Sequence, residues 1–121
     1  MSNRIERINA EIKKQLAPII SEELSDPRIK GLVSIVKVDT DSDLSVCKVY
    51  LSVLGANGEE KQVVEAISNA EGYIKNILKK RIILRSLPEL RFYLDDSISY
   101  GIKISQILND INKDWYKFIW V

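Results

Sequence analysis

Lys75, Lys79, Lys80, Arg81 and Arg85 fall close together in the chain. Their side chains suit one kind of chemistry, the neutralisation of phosphate. Steps of four put Lys75 and Lys79 on one helical face, with Arg81 and Arg85 near the helix end. Between residues 70 and 91 these five and Arg91 stand against Glu71 and Glu89, a local charge of +4 in a chain that nets only +1. The remainder is therefore mildly acidic, and the positive charge has a face. Each phosphate contact would release counterions, so binding through this stretch should weaken with salt. The same lysines also suit the C-terminal dipole end of a solvated helix, and residue types alone leave both readings open.

Other chemistries find less support. The chain has no histidine, which removes the Ser-His-Asp and Cys-His arrangements and most zinc sites. Asp95 and Asp96 are neighbours at a strand end, so their side chains diverge, and no partner base accompanies them. Asp96 or Ser97 fits better as a helix N-cap. Asp39, Asp41 and Asp43 have the opening spacing of a calcium loop. Leu44 stands where that loop needs glycine and Tyr50 where it needs a bidentate glutamate, so the segment reads as a turn. Gly55-Ala56-Asn57-Gly58 spells GxxG, but it follows a strand and precedes Glu59 and Glu60, which would oppose phosphate. No catalytic residue, metal ligand or cofactor is assigned, and an enzyme is not expected.

The elements that would position the basic set can be read from periodicity. At 121 residues, 45% hydrophobic and 29% charged, one domain with one core is expected. The single Cys47, most simply a core residue on a strand, cannot form an internal disulfide, which fits a reducing compartment. The opening Met-Ser-Asn-Arg-Ile-Glu-Arg has no apolar signal core, and no window reaches the length of a membrane span. A cytoplasmic protein is expected.

Ile5, Ile8, Ile12, Leu16, Ile19 and Leu24 form one helical stripe. Pro18 lacks an N–H and crowds the carbonyl of Lys14, which predicts a kink or break there. Asp26-Pro27 ends this helix or starts the turn after it. Residues 32–38 and 46–53 are rich in β-branched side chains and read as a hairpin. Val63, Ile67, Ala70, Ile74, Ile77 and Leu78 form a second helical stripe interrupted by Gly72, which predicts a bend at 70–72 and a second helix beyond it. Leu90, Phe92 and Leu94 alternate with Arg91, Tyr93 and Asp95 as a third strand. Residues 97–113 read as a helix, and 114–121 carry an aromatic tail containing Trp115, Tyr116, Phe118 and Trp120. Tail residues could stack on bases or dock on their own domain.

The order α-β-β-α(kink)α-β resembles a type II KH domain, an α+β fold with a small three-stranded sheet and helices on one face, here followed by a C-terminal helix. Several stretches further resemble the ribosome-binding factor A family. They are Arg4-Ile5-Glu6-Arg7-Ile8-Asn9 with Ile12, Asp26-Pro27-Arg28-Ile29 with Gly31, and residues 38–44 followed by Lys48-Val49-Tyr50-Leu51-Ser52-Val53-Leu54-Gly55. Ala70-Glu71-Gly72 resembles the family's Ala-x-Gly kink. Leu84-Arg85, Pro88-Glu89-Leu90-Arg91-Phe92 and Asp95-Asp96-Ser97 resemble its third-strand region. These matches run from about residue 4 to residue 111, so residues 1–113 are expected to form the RNA-binding domain and 114–121 a separate tail.

The resemblance implies a non-catalytic factor that binds the small ribosomal subunit and its rRNA, near the decoding region, during late maturation. It implies a role in precursor rRNA processing and in growth in the cold, and release triggered by an assembly GTPase. A monomer without membrane or small-molecule partners is expected. The RNA-binding set is expected to be Lys75, Lys79, Lys80, Arg81 and Arg85, helped by Arg4, Arg7, Arg28 and Arg91, with Ala70 and Gly72 at the kink. Ala70-Glu71-Gly72 either lets the backbone approach phosphate or serves packing alone, and Glu71 opposes the first. Arg28 either extends the basic face or pairs with Asp26 or Glu23. The alternative function is a small protein-interaction domain without direct RNA binding.

Overall fold

The computed structural model describes residues 2–95. The helix expected over 97–113, the Asp96 or Ser97 cap and the aromatic tail lie outside the described residues.

Helix α1 spans Ser2–Pro18. Ile8, Ile12 and Leu16 are its buried stripe, and Arg4 and Arg7 are exposed. The expected disturbance at Pro18 takes a specific form, a π-helical turn over Ile19–Glu23. Proline cannot donate to the carbonyl four residues back, and a wider turn accommodates the missing bond without ending the helix. The extra residue also shifts the phase of the stripe, so that Ile19 and Ile20 are both buried although adjacent. The helix then stops at Glu23, before Asp26-Pro27, with Leu24 already extended. Asp26 starts the turn: its carbonyl accepts from the Ile29 N–H at 3.0 Å and its Oδ1 from the Arg28 N–H at 2.9 Å.

Strands β1 (Leu32–Thr40) and β2 (Val46–Leu54) pair antiparallel with an irregularity between Ile35 and Lys37. In the turn between them Asp43 Oδ1 accepts from the Ser45 N–H at 3.2 Å and from its hydroxyl at 2.8 Å, so this aspartate is spent on turn closure. Gly31 enters β1 at φ +74°, and a Cβ there would lie 2.2 Å from the Leu54 carbonyl oxygen. Only glycine permits this approach. The GxxG tetrapeptide at 55–58 lies between strand and helix, with Glu59 N–H donating to the Ala56 carbonyl at 3.0 Å.

Helices α2 (Glu60–Asn69) and α3 (Glu71–Arg81) are separated at Ala70, whose φ of −92° and ψ of 10° leave the helical region. They carry the chain across the sheet to β3 (Glu89–Leu94), which pairs parallel to β2. The sheet order is β1-β2-β3. Cys47, Val49, Leu51 and Val53 of β2 and Leu90 and Phe92 of β3 face the helices and are buried with Ile12, Leu16, Val63, Ile67, Ile74 and Leu78. Burying each of the large aliphatic side chains among them contributes about 2 kcal/mol. The opposite sheet face carries Lys48, Tyr50, Arg91 and Tyr93, the two tyrosines stacked with centroids 5.5 Å apart. This is a KH-like α+β domain.

Candidate nucleic-acid interface

Helix α3 is held by Ile74 and Leu78, both fully buried. That anchoring fixes where its cations point. Gly72, Lys75 and Lys79 stand at steps of three and four and share one flank. Gly72 is exposed and helical, and a Cβ there would meet nothing within 4 Å. The break itself sits at Ala70, one residue before the α3 span. Lys79, Lys80 and Arg81 make up the last turn and are all exposed, where the helix dipole favours positive charge. Lys75 is half-buried.

Glu71, the acid expected to oppose phosphate, is turned elsewhere. Its Oε2 accepts from the Leu90 N–H at 3.1 Å, joining the start of α3 to β3.

The remaining candidates fall in three places. Arg81 Nη2 lies 3.2 Å from Glu23 Oε1 in the π-helical turn, and Arg81 and Arg7 together line a shallow pocket of about 350 Å³ between α1 and the loop after α3. Arg4 lies one turn earlier on α1, and Arg85 is exposed on that loop. Arg28 is on the far side of the kink, forked onto Asp26 at 2.9 Å. Its guanidinium and backbone N–H hold the Asp26 carboxyl below its usual value, and Asp26, with Glu65 adding to the field, raises Arg28. Arg91 projects from the open sheet face, where its pairing with Glu89 at 2.9 Å raises its pKa. Among the described residues, Arg4, Arg7, Lys75, Lys79, Lys80 and Arg85 make no ion pair, whereas Arg28, Arg81 and Arg91 do.

Two side chains near this surface are absent from the sequence-derived set. Tyr73 is half-exposed and lines a cleft of about 550 Å³ with Asp26, Pro27 and Ala70. Ile83 is fully exposed, between the buried Ile82 and the half-buried Leu84. The signal for Ile83 was present: three consecutive apolar residues leaving a helix end cannot all face one core.

A protein-family model described as Ribosome-binding factor A matches residues 4–108. The chain belongs to the ribosome-binding factor A family. A relative of that name from Caldanaerobacter subterraneus is 43% identical over 113 residues, covering 93% of each chain. One from Caldicellulosiruptor saccharolyticus is 48% identical over 111 residues, covering 90% of this chain and 82% of the relative. Solved structures agree with the fold. The crystal structure of ribosome-binding factor A from Thermus thermophilus superposes with a TM-score of 0.67 at 32% identity, covering 74% of this chain and 93% of that one. A Thermus thermophilus ribosome-binding factor A homology model, fitted into a cryo-EM map of its 30S complex, gives 0.61 at 33% identity, covering 73% and 91%.

Proposed function

We propose that the protein binds the small ribosomal subunit during late maturation, through rRNA, by occupancy and not by chemistry. The observation that carries this reading is the family match over residues 4–108. It is supported by the 30S complex into which the Thermus thermophilus relative was fitted. The unpaired cations of α3 and α1 give the partner a physical basis, because exposed lysines and arginines without carboxylate partners are available to phosphate. Lys75, Lys79, Lys80 and Arg85 form the centre of the interface, with Arg4, Arg7 and Arg81 beside them. Arg28 and Arg91 contribute only if phosphate displaces Asp26 and Glu89. Bound there, the domain stabilises an immature rRNA conformation, assists precursor rRNA processing and supports growth in the cold. It acts in the cytoplasm as a monomer, and an assembly GTPase triggers its release.

Co-sedimentation of the purified protein with small and large ribosomal subunits, at low and high salt, tests this. Salt-sensitive binding to small subunits alone is expected. Absence of binding at low salt would reduce the protein to an interaction domain for some other partner.

A further inference from the structure

We infer that the pocket between α1 and the loop after α3 holds a single unstacked nucleotide of the bound RNA, with preference for a base that carries an exocyclic amine. The inference rests on the RNA-binding reading and adds a base-reading site to it.

The pocket is lined by Arg7, Ile8 and Glu11 from α1 and by Arg81, Ile82, Ile83 and Leu84 from the end of α3 and the loop beyond. Its volume of about 350 Å³ lies at the lower end of the range for small-ligand sites, about 300–1,000 Å³. Its chemistry divides cleanly. Ile8, Ile82 and Leu84 belong to or pack against the core and give a fixed apolar wall. Ile83 stands fully exposed at the rim. A lone exposed isoleucine is ordinary on a protein surface. Here it borders an apolar wall and two arginines from different elements, and that combination suits a nucleobase face flanked by its own phosphates.

The arginines are available. Arg7 makes no ion pair among the described residues, and the Arg81–Glu23 pair is solvent-exposed on both sides. Exposed pairs are weak and exchange readily for a phosphate that offers a bidentate acceptor. An RNA strand entering past Lys79 and Lys80 would meet the two guanidiniums on either side of an extruded base. Extrusion is least costly in single-stranded rRNA, which is also where base identity can be read.

Glu11 supplies the reading. It is the only carboxylate among the described residues that line the pocket, and its Oε1 accepts from Gln15 Nε2 at 3.2 Å, which fixes the side chain. A carboxylate has about four acceptor positions, so it can still take an N–H from adenine, cytosine or guanine. Uracil offers only its ring N3–H, set between two carbonyl oxygens that a carboxylate repels.

The test uses the full chain and two fluorescently labelled probes, octa-adenylate and octa-uridylate, followed by anisotropy at several salt concentrations. The wild-type protein is expected to favour octa-adenylate. Ile83→Ser should lose about tenfold in affinity for it with an unchanged salt slope, because no phosphate contact is removed. Glu11→Leu, which leaves no acceptor in the pocket, should erase the preference over octa-uridylate. Equal binding of the two probes by the wild type, or an Ile83→Ser variant indistinguishable from it, overturns the pocket. If the wild type binds small subunits but neither probe, the two variants are compared on subunits by co-sedimentation, and unchanged binding again overturns it. If the wild type binds neither probes nor subunits, the RNA reading itself fails and the pocket falls with it.

Discussion

Glu71 Oε2 accepts the Leu90 backbone N–H at 3.1 Å across 19 residues of sequence. This bond locks the start of α3 onto the third strand, and it removes from the outer surface the one acid in the kink tripeptide. A charged acceptor on a partly buried backbone donor is worth more than a neutral surface contact. Glu71→Ala should lower stability by about 1–2 kcal/mol, read as a shift of the urea midpoint. Glu71→Gln keeps an acceptor oxygen and should recover part of that loss.

Two glycines should respond to alanine with opposite signs. At Gly31 the positive φ and the Leu54 carbonyl 2.2 Å from an added Cβ leave no room, so Gly31→Ala should cost about 3 kcal/mol or prevent folding. At Gly72 the space is free and the backbone helical, so Gly72→Ala should stabilise by up to about 1 kcal/mol. Thermal unfolding of the two variants measures both.

The same Gly72→Ala variant separates packing from contact. Its new methyl lies on the flank that carries Lys75 and Lys79. If RNA backbone approaches α3 there, small-subunit binding should weaken several-fold in a protein that is more stable than wild type. Unchanged binding would assign the glycine to the geometry of the bend alone.

Charge removal on α3 gives a quantitative check. Lys79→Ala and Lys80→Ala should each reduce the slope of log K against log salt by about 1, with only a small shift of the unfolding midpoint, since neither side chain makes an ion pair among the described residues and each loses only its place at the negative end of the α3 dipole. Arg81 is less suitable for this experiment, because its substitution also frees Glu23.

Acid should loosen the turns before it loosens the core. Asp26 and Asp43 both titrate below the ordinary carboxylate value of 3.8, Asp26 mainly through Arg28 and Asp43 mainly through Ser45. A carboxyl depressed in the folded state stabilises it at pH above its unfolded value, and that contribution is lost as pH falls through the folded value. The stability gap between wild type and Asp26→Asn or Asp43→Asn should therefore be constant near neutrality and close below about pH 4. Denaturation midpoints measured from pH 7 to pH 2 would show it.

The hairpin and the order of elements were legible because they rest on local signals. β-branched runs flank an aspartate-rich turn, and apolar residues recur at helical steps through residue 78. The proximity of Arg7 to Arg81 was not legible, since it depends on how α1 packs against α3. Nor was the inward turn of Glu71, because a glutamate beside a glycine gives no local hint of a backbone partner 19 residues away. Pro18 announced a disturbance but not its form: a kink, a break and a π turn all relieve the same missing bond. The basic residues advertised their type and rough face, while the division between paired and unpaired cations required knowing which acids lie near them.

The π turn after Pro18 is a one-residue insertion carried inside a helix. The turn stays tied to α3 through Glu23 and Arg81. An evolutionary deletion there would straighten the helix and withdraw one of the two adjacent isoleucines from the core, leaving the loop at Asp26 to absorb the difference. A single lost residue in the sheet would cost more still, since it would invert every side chain beyond it.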